Sequence, residues 1–201
     1  MTDAHGGPFT RDDLDQVMAV AVDAWRSGAD RDWSVPAGTL EWSCTRTADH
    51  TVDAVLAVAL FLASGRQDAY PDWGWGELTM GAAATPSNLV EALGAVGRVL
   101  SGVVAVADPA VRAVIWDGRV TGTGTPPDFA ARGALEAVLH AHDVCAGLGV
   151  PFEPPADVCA RLRDHTGGWP HWSAPGWSPP PVTGDPWSDL LTGSGRARPV
   201  A

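Results

Sequence analysis

The sequence predicts an all-α protein: a four-helix bundle followed by a short extra helix and an irregular Trp/Pro-rich C-terminal tail. Three observations lead there. Four stretches carry apolar residues at helical spacing, capping residues stand at several of their ends, and no stretch alternates as a half-buried strand would. Helices of similar length cover such stripes most readily by packing on one another.

The first helix, about 10–27, opens on Thr10 with Asp13 three positions later, a capping-box variant, and aligns Leu14, Val17, Met18, Ala21 and Trp25. The second, about 44–64, starts in the Ser43–Thr47 region and places Val52, Val55, Leu56, Ala59 and Ala63 on one stripe. Gly65 suits its end. The third, about 86–107, has Thr85 as N-cap and Pro86 at its first position, with Leu89, Leu93, Val96, Leu100, Val103 and Val104 as its apolar face. The fourth, about 127–148, is stopped by Gly149 and Pro151, and a short helix follows over about 155–163. Between the second and third helices, Gln67 to Ala84 forms a long loop containing Trp73 and Trp75. It is either a binding lid or a surface loop whose tryptophans cover the bundle end. Residues 1–166 thus form the bundle. In the tail, 167–201, the recurring Trp169, Trp172, Trp177 and Trp187 argue against a free linker and predict packing on the bundle.

At 201 residues the chain can bury one substantial core. A formal charge of −11 and a pI near 4.7 argue against nucleic acid or an anionic membrane as the main partner. No uninterrupted apolar run reaches bilayer length, and the N-terminus lacks a basic region followed by an apolar one. The expected location is therefore the cytoplasm, with no membrane partner. Cys44, Cys145 and Cys159 are an odd count without metal-ligand spacing and read as buried thiols.

The chemistry concentrates on the fourth helix. Arg132, Glu136, His140 and Asp143 follow a four-four-three spacing that forms one stripe, with Gly133 and Ala137 leaving room beside it. His50 lies on the second helix. Two histidines and a carboxylate from two helices make an open metal site, because three protein ligands leave a coordination position for water or substrate. The alternative is a solvated Glu–His pair beside an unrelated histidine. Arg132 and Asp143 either orient the ligands from behind or form an ordinary ion-pair network on the helix. His142 points away from the stripe, and His5, His165 and His171 read as surface residues. A nucleophilic serine elbow, a phosphate-cradling loop with lysine and a Cys-x-x-Cys pair are all missing from the sequence.

The segment Gly133-Ala-Leu-Glu136-Ala-Val-Leu-His140-Ala-His-Asp143-Val-Cys-Ala-Gly-Leu-Gly149 resembles the hallmark helix of the mycothiol-dependent maleylpyruvate isomerase-like family. That family lies within the DinB/YfiT-like metal-binding four-helix superfamily. Trp42-Ser-Cys-Thr-Arg-Thr-Ala-Asp-His50 is similar to its second-helix motif, where Trp-Ser or Trp-Thr precedes a ligand histidine. Pro154-Pro-Ala-Asp-Val-Cys-Ala-Arg-Leu and the closing Pro186-Trp-Ser-Asp-Leu-Leu and Gly195-Arg196 also resemble actinobacterial members, so the likeness covers nearly the whole chain.

The resemblance implies a divalent metal, most simply Zn2+, held by His50, Glu136 and His140, with mycothiol as co-substrate. The metal would stabilise the thiolate, which attacks a small electrophile, with Arg132 adding positive charge and Trp73 and Trp75 walling the electrophile's pocket. Maleylpyruvate isomerase carries a separate C-terminal domain that contributes to its active site. Here a short helix and the tail follow the fourth helix, so a general thiol S-transferase or isomerase, monomeric or homodimeric, is the expectation. Two other readings remain: a hydrolase using metal-bound water, and a non-catalytic ligand- or metal-binding helical protein.

Overall fold

The computed structural model describes residues 8–74, 76–81, 83–116 and 122–196. The protein is mostly helical. Its four long helices are α1 (Arg11–Ser27), α2 (Cys44–Ser64), α3 (Pro86–Val106) and α4 (Pro126–Leu148), each within a residue or so of its expected position.

The helix ends follow from the local chemistry. Thr10 accepts the Asp13 N–H while the Asp13 carboxylate accepts the Thr10 N–H at 2.9 Å, closing the expected capping box. Thr85 with Asn88 and Thr125 with Asp128 repeat this device, each with a proline in the first turn, where its missing N–H costs nothing. Gly65 and Gly149 close α2 and α4 at φ +63° and +67°, in the left-handed region that favours glycine.

Helix α1 lies against α3 and α4, and α2 packs against the same two, so the helices run α1–α3–α2–α4 around a shared core. Phe9, Leu14, Trp25, Leu89, Leu93, Leu100, Phe129, Leu135 and Leu139 are among its fully buried side chains. Each such residue contributes roughly 1.5–3 kcal/mol of transfer free energy. Gly133 does not leave room beside the polar stripe, as its spacing suggested. It lies against Leu100 of α3, whose Cδ2 would stand 2.2 Å from a Cβ at this position. Gly147 allows a tighter approach still: a Cβ there would meet the Pro36 carbonyl oxygen at 2.3 Å and the Cys44 sulfur at 2.7 Å.

Two expectations are corrected. A short antiparallel hairpin exists, with β1 (Ala113–Trp116) paired to β2 (Gly122–Gly124) and fastened to the end of α2 by the Val114 N–H, which donates to the Arg66 carbonyl at 2.7 Å. With only four and three residues, and glycine at both ends of β2, the strands are too short to show a period. The tail is not irregular throughout. After α5 (Ala156–Thr166) it forms a 3₁₀ turn (Pro170–Ser173) and a helix α6 (Pro186–Gly193) that packs on α5. Helices α2 and α3 are long and apolar enough, by length and composition, to cross a membrane. Both instead line the shared core, where Ala- and Val-rich helices serve equally well.

Gly147→Ala should destabilise the fold by about 1–3 kcal/mol despite alanine's better helix propensity, because the obstacle is backbone. Gly102→Ala, in α3 with open space around it, should instead gain up to about 1 kcal/mol. Urea unfolding of the two variants beside wild type checks the pair; equal shifts would contradict the close α2–α4 contact.

Candidate metal centre

The α2–α4 contact decides what meets what. It sets the His50 and His140 rings edge to face with centroids 5.3 Å apart, and Glu136 stands one turn before His140 on the same face of α4. One ligand atom from each of His50, Glu136 and His140 lies within 4.8 Å of the others, and all three side chains are half-buried. This triad can hold a metal ion. Donors about 2.0–2.1 Å from one tetrahedral ion stand roughly 3.3 Å apart, so side-chain rotations of about an ångström would close the set.

Each ligand on α4 is held from behind. Arg132 donates to Glu136 Oε1 from Nε at 3.1 Å, its Nη2 lies 3.0 Å from the same oxygen as an ion pair, and its Nη1 reaches the Ile115 carbonyl of β1 at 3.4 Å. The hairpin missing from the sequence reading therefore supports the site. Burial alone would push the Glu136 carboxyl up, but the charges of Arg132, His140, His171 and His50 outweigh it and hold its pKa below the ordinary value. Glu136 is thus an ionised acceptor at neutral pH.

On His140, Nδ1 lies 3.1 Å from Asp143 Oδ2. An ionised carboxylate only accepts, so Nδ1 donates to Asp143 and Nε2 is the ring nitrogen left to face an ion. Nε2 is the nitrogen facing Glu136, 3.7 Å from Oε2. Asp143 is almost fully buried and is gripped by the fork of Arg196, with Nε to Oδ1 at 3.0 Å and Nη2 to Oδ2 at 2.7 Å. Burial would raise the Asp143 pKa; hydrogen bonds from His140 and Arg196 overcome this and lower it. On the other side, Trp42 packs edge-on to His50 at 5.3 Å, and the Arg46 guanidinium sits 5.0 Å over the Trp42 ring.

The remaining candidates fall elsewhere. Trp73 lines a groove of about 530 Å³ with Asp53, Leu56, Leu60, Phe61 and Glu77, which includes none of the three ligands. Trp42 packs on the triad, against His50. Trp75 and His5 lie outside the described residues. The long loop is tied to α2, with Asp53 and Asp49 accepting the Leu78 and Met80 N–H groups at 2.8 and 2.7 Å. His142 packs against Trp187, away from the triad.

Two histidines read as surface are not. His165 accepts the Phe9 N–H at Nδ1 and contacts Asp128 at Nε2, 2.9 Å away. His171 is half-buried against Trp177, and its pKa is lowered by burial and then by Arg132, with Glu136 opposing. The 3₁₀ turn therefore brings His171 within electrostatic reach of the centre. Arg196 is the main residue missed. It is 53 positions from its partner Asp143, and no local spacing announces such a contact.

No known protein family, no curated protein and no solved structure matches the chain.

Purified protein should retain about one equivalent of divalent metal after dialysis, with His50→Ala and Glu136→Ala each retaining far less. Mass-spectrometric metal analysis of the three proteins decides this. Equal occupancy in all of them would remove the triad as the site.

Proposed function

We propose that the protein is a divalent-metal- and thiol-dependent transferase or isomerase acting on a small electrophile. The observation that carries this is the convergence of His50, Glu136 and His140; three protein ligands leave a coordination position for an incoming ligand. The donor set suits Zn2+, and helices two and four supply the ligands as in the DinB/YfiT-like type of bundle that the sequence resembles. When bound, the cation would lower the pKa of a coordinated thiol and keep it as thiolate at neutral pH.

The chain's own residues prepare that chemistry. Arg132 holds Glu136 ionised and in place, while Asp143 orients the His140 ring with Nε2 toward Glu136. Trp42 packs against the His50 ring at 5.3 Å between centroids. The protein's own thiols are poor nucleophiles: burial pushes Cys44 up to about 11 and Cys145 and Cys159 up to about 12. All three are buried. A thiol reaction here therefore draws its nucleophile from outside, and mycothiol is the co-substrate the resemblance suggests. The acidity of the chain fits a cytoplasmic enzyme with small-molecule partners rather than nucleic acid.

Turnover of a model electrophile should require added mycothiol and fall by more than about 100-fold in His140→Ala. The assay is loss of the electrophile with time, followed by chromatography with and without added thiol. Undiminished turnover without thiol would favour a hydrolase on the same centre, and undiminished turnover in His140→Ala would remove the centre from the reaction.

A further inference from the structure

Beyond the 3₁₀ turn, the described C-terminal residues reach the centre through Arg196, and their attachment has two separable parts. The first is an anchor made on α5, Phe152 and His142. Asp189 of α6, 1% exposed, takes Arg163 of α5 at 2.7 Å and the Thr183 hydroxyl at 2.6 Å. Leu190 is fully buried, and Trp187 packs edge-on against Phe152 and His142. The Ser178 N–H donates to the Gly193 carbonyl at 2.8 Å, and a Cβ at Gly193 would meet the Pro180 Cα at 2.9 Å. These contacts fix the path of the chain up to the end of α6.

The second part is the clamp. Beyond α6 the chain turns at Gly195, at φ +72°, and directs Arg196 inward. The Arg196 side chain is only 9% exposed; its guanidinium lies 5.6 Å from the Trp177 ring and grips Asp143 through two nitrogens. Among the described residues, Arg196 and His140 are the only side chains hydrogen-bonded to Asp143. A carboxylate this buried needs a cationic partner to stay in place. Without the fork, the single hydrogen bond to His140 would have to hold it.

Resting on the metal reading given above, we propose that the segment Thr183–Arg196 is a strap that sets the metal affinity of the centre. Arg196 acts as a positioning residue: it holds Asp143, Asp143 holds the ring of His140, and His140 presents Nε2 to the ion. The coupling runs both ways, since whatever metal binding gains from a docked strap, strap docking gains from bound metal. Release of the strap would weaken metal binding while leaving the triad itself intact. Because the anchor is separate, the clamp can be loosened without detaching α6.

The test is Zn2+ affinity, measured by competition with a chromophoric chelator, for the full-length wild type, Arg196→Ala and Arg196→Lys. Near-UV circular dichroism of the tryptophans checks that each variant is folded. Arg196→Ala should bind Zn2+ about 10–100-fold more weakly, the range for loss of a ligand's supporting partner. Arg196→Lys, which keeps a charge and one donor but not the fork, should fall between. In the wild type, Zn2+ should slow hydrogen exchange at the Gly195 and Arg196 amides, and this slowing should shrink in Arg196→Ala. Wild-type affinity in Arg196→Ala, or exchange at those amides indifferent to Zn2+, overturns the strap and leaves the triad standing. Failure of the wild type itself to bind Zn2+ overturns the metal reading and the strap with it.

Discussion

The closeness of α2 to α4 is the constraint on which the rest depends. His50 comes from one helix and Glu136 and His140 from the other, so the ligands meet only if the two backbones nearly touch. Gly147 permits that contact, since any side chain there would collide with the Pro36 carbonyl and the Cys44 sulfur. Cys44 completes the seam: its Sγ lies 3.6 Å from the Val144 carbonyl, and burial keeps it a neutral thiol. What reads in the sequence as a reactive residue type is here a small packing group at the contact that builds the site.

An acidic chain with thirteen arginines and no lysine places several of its cations on buried carboxylates. Arg161 holds Asp13 at the start of α1, Arg163 holds Asp189 at α6, and Arg196 holds Asp143 beside the centre. Buried pairs of this kind add little net stability, because desolvation offsets the attraction, but breaking one strands a charge in the interior. Their effect is to specify where segments attach. Two of the three fasten the C-terminal segment, one to α5 and one to α4. The tail is therefore a structural layer of the site.

The helices and the triad were legible because they rest on local rules. Thr10, Thr85, Gly65 and Gly149 announce helix ends through bonds made within a few residues. The four-residue step from Glu136 to His140 is a property of one helix. What was not legible depends on distant partners or short elements. The strand Gly122–Gly124 has no side-chain pattern to read, and α6, at eight residues, is hidden among prolines. His165 and His171 resembled surface residues because the surfaces covering them come from elsewhere in the chain. Trp73 stands within the long loop and lines a groove that includes none of the triad, whereas Trp42, eight residues before His50, packs on the triad. The Arg196–Asp143 contact spans 53 residues and could emerge only from the fold.

X-ray absorption at the zinc edge tests the central claim most directly. The account predicts a low-coordinate shell of nitrogen and oxygen at about 2.0–2.1 Å with the multiple scattering of two imidazoles, joined by a sulfur near 2.3 Å when mycothiol is added. A shell of oxygens alone, without an imidazole signature, would contradict it.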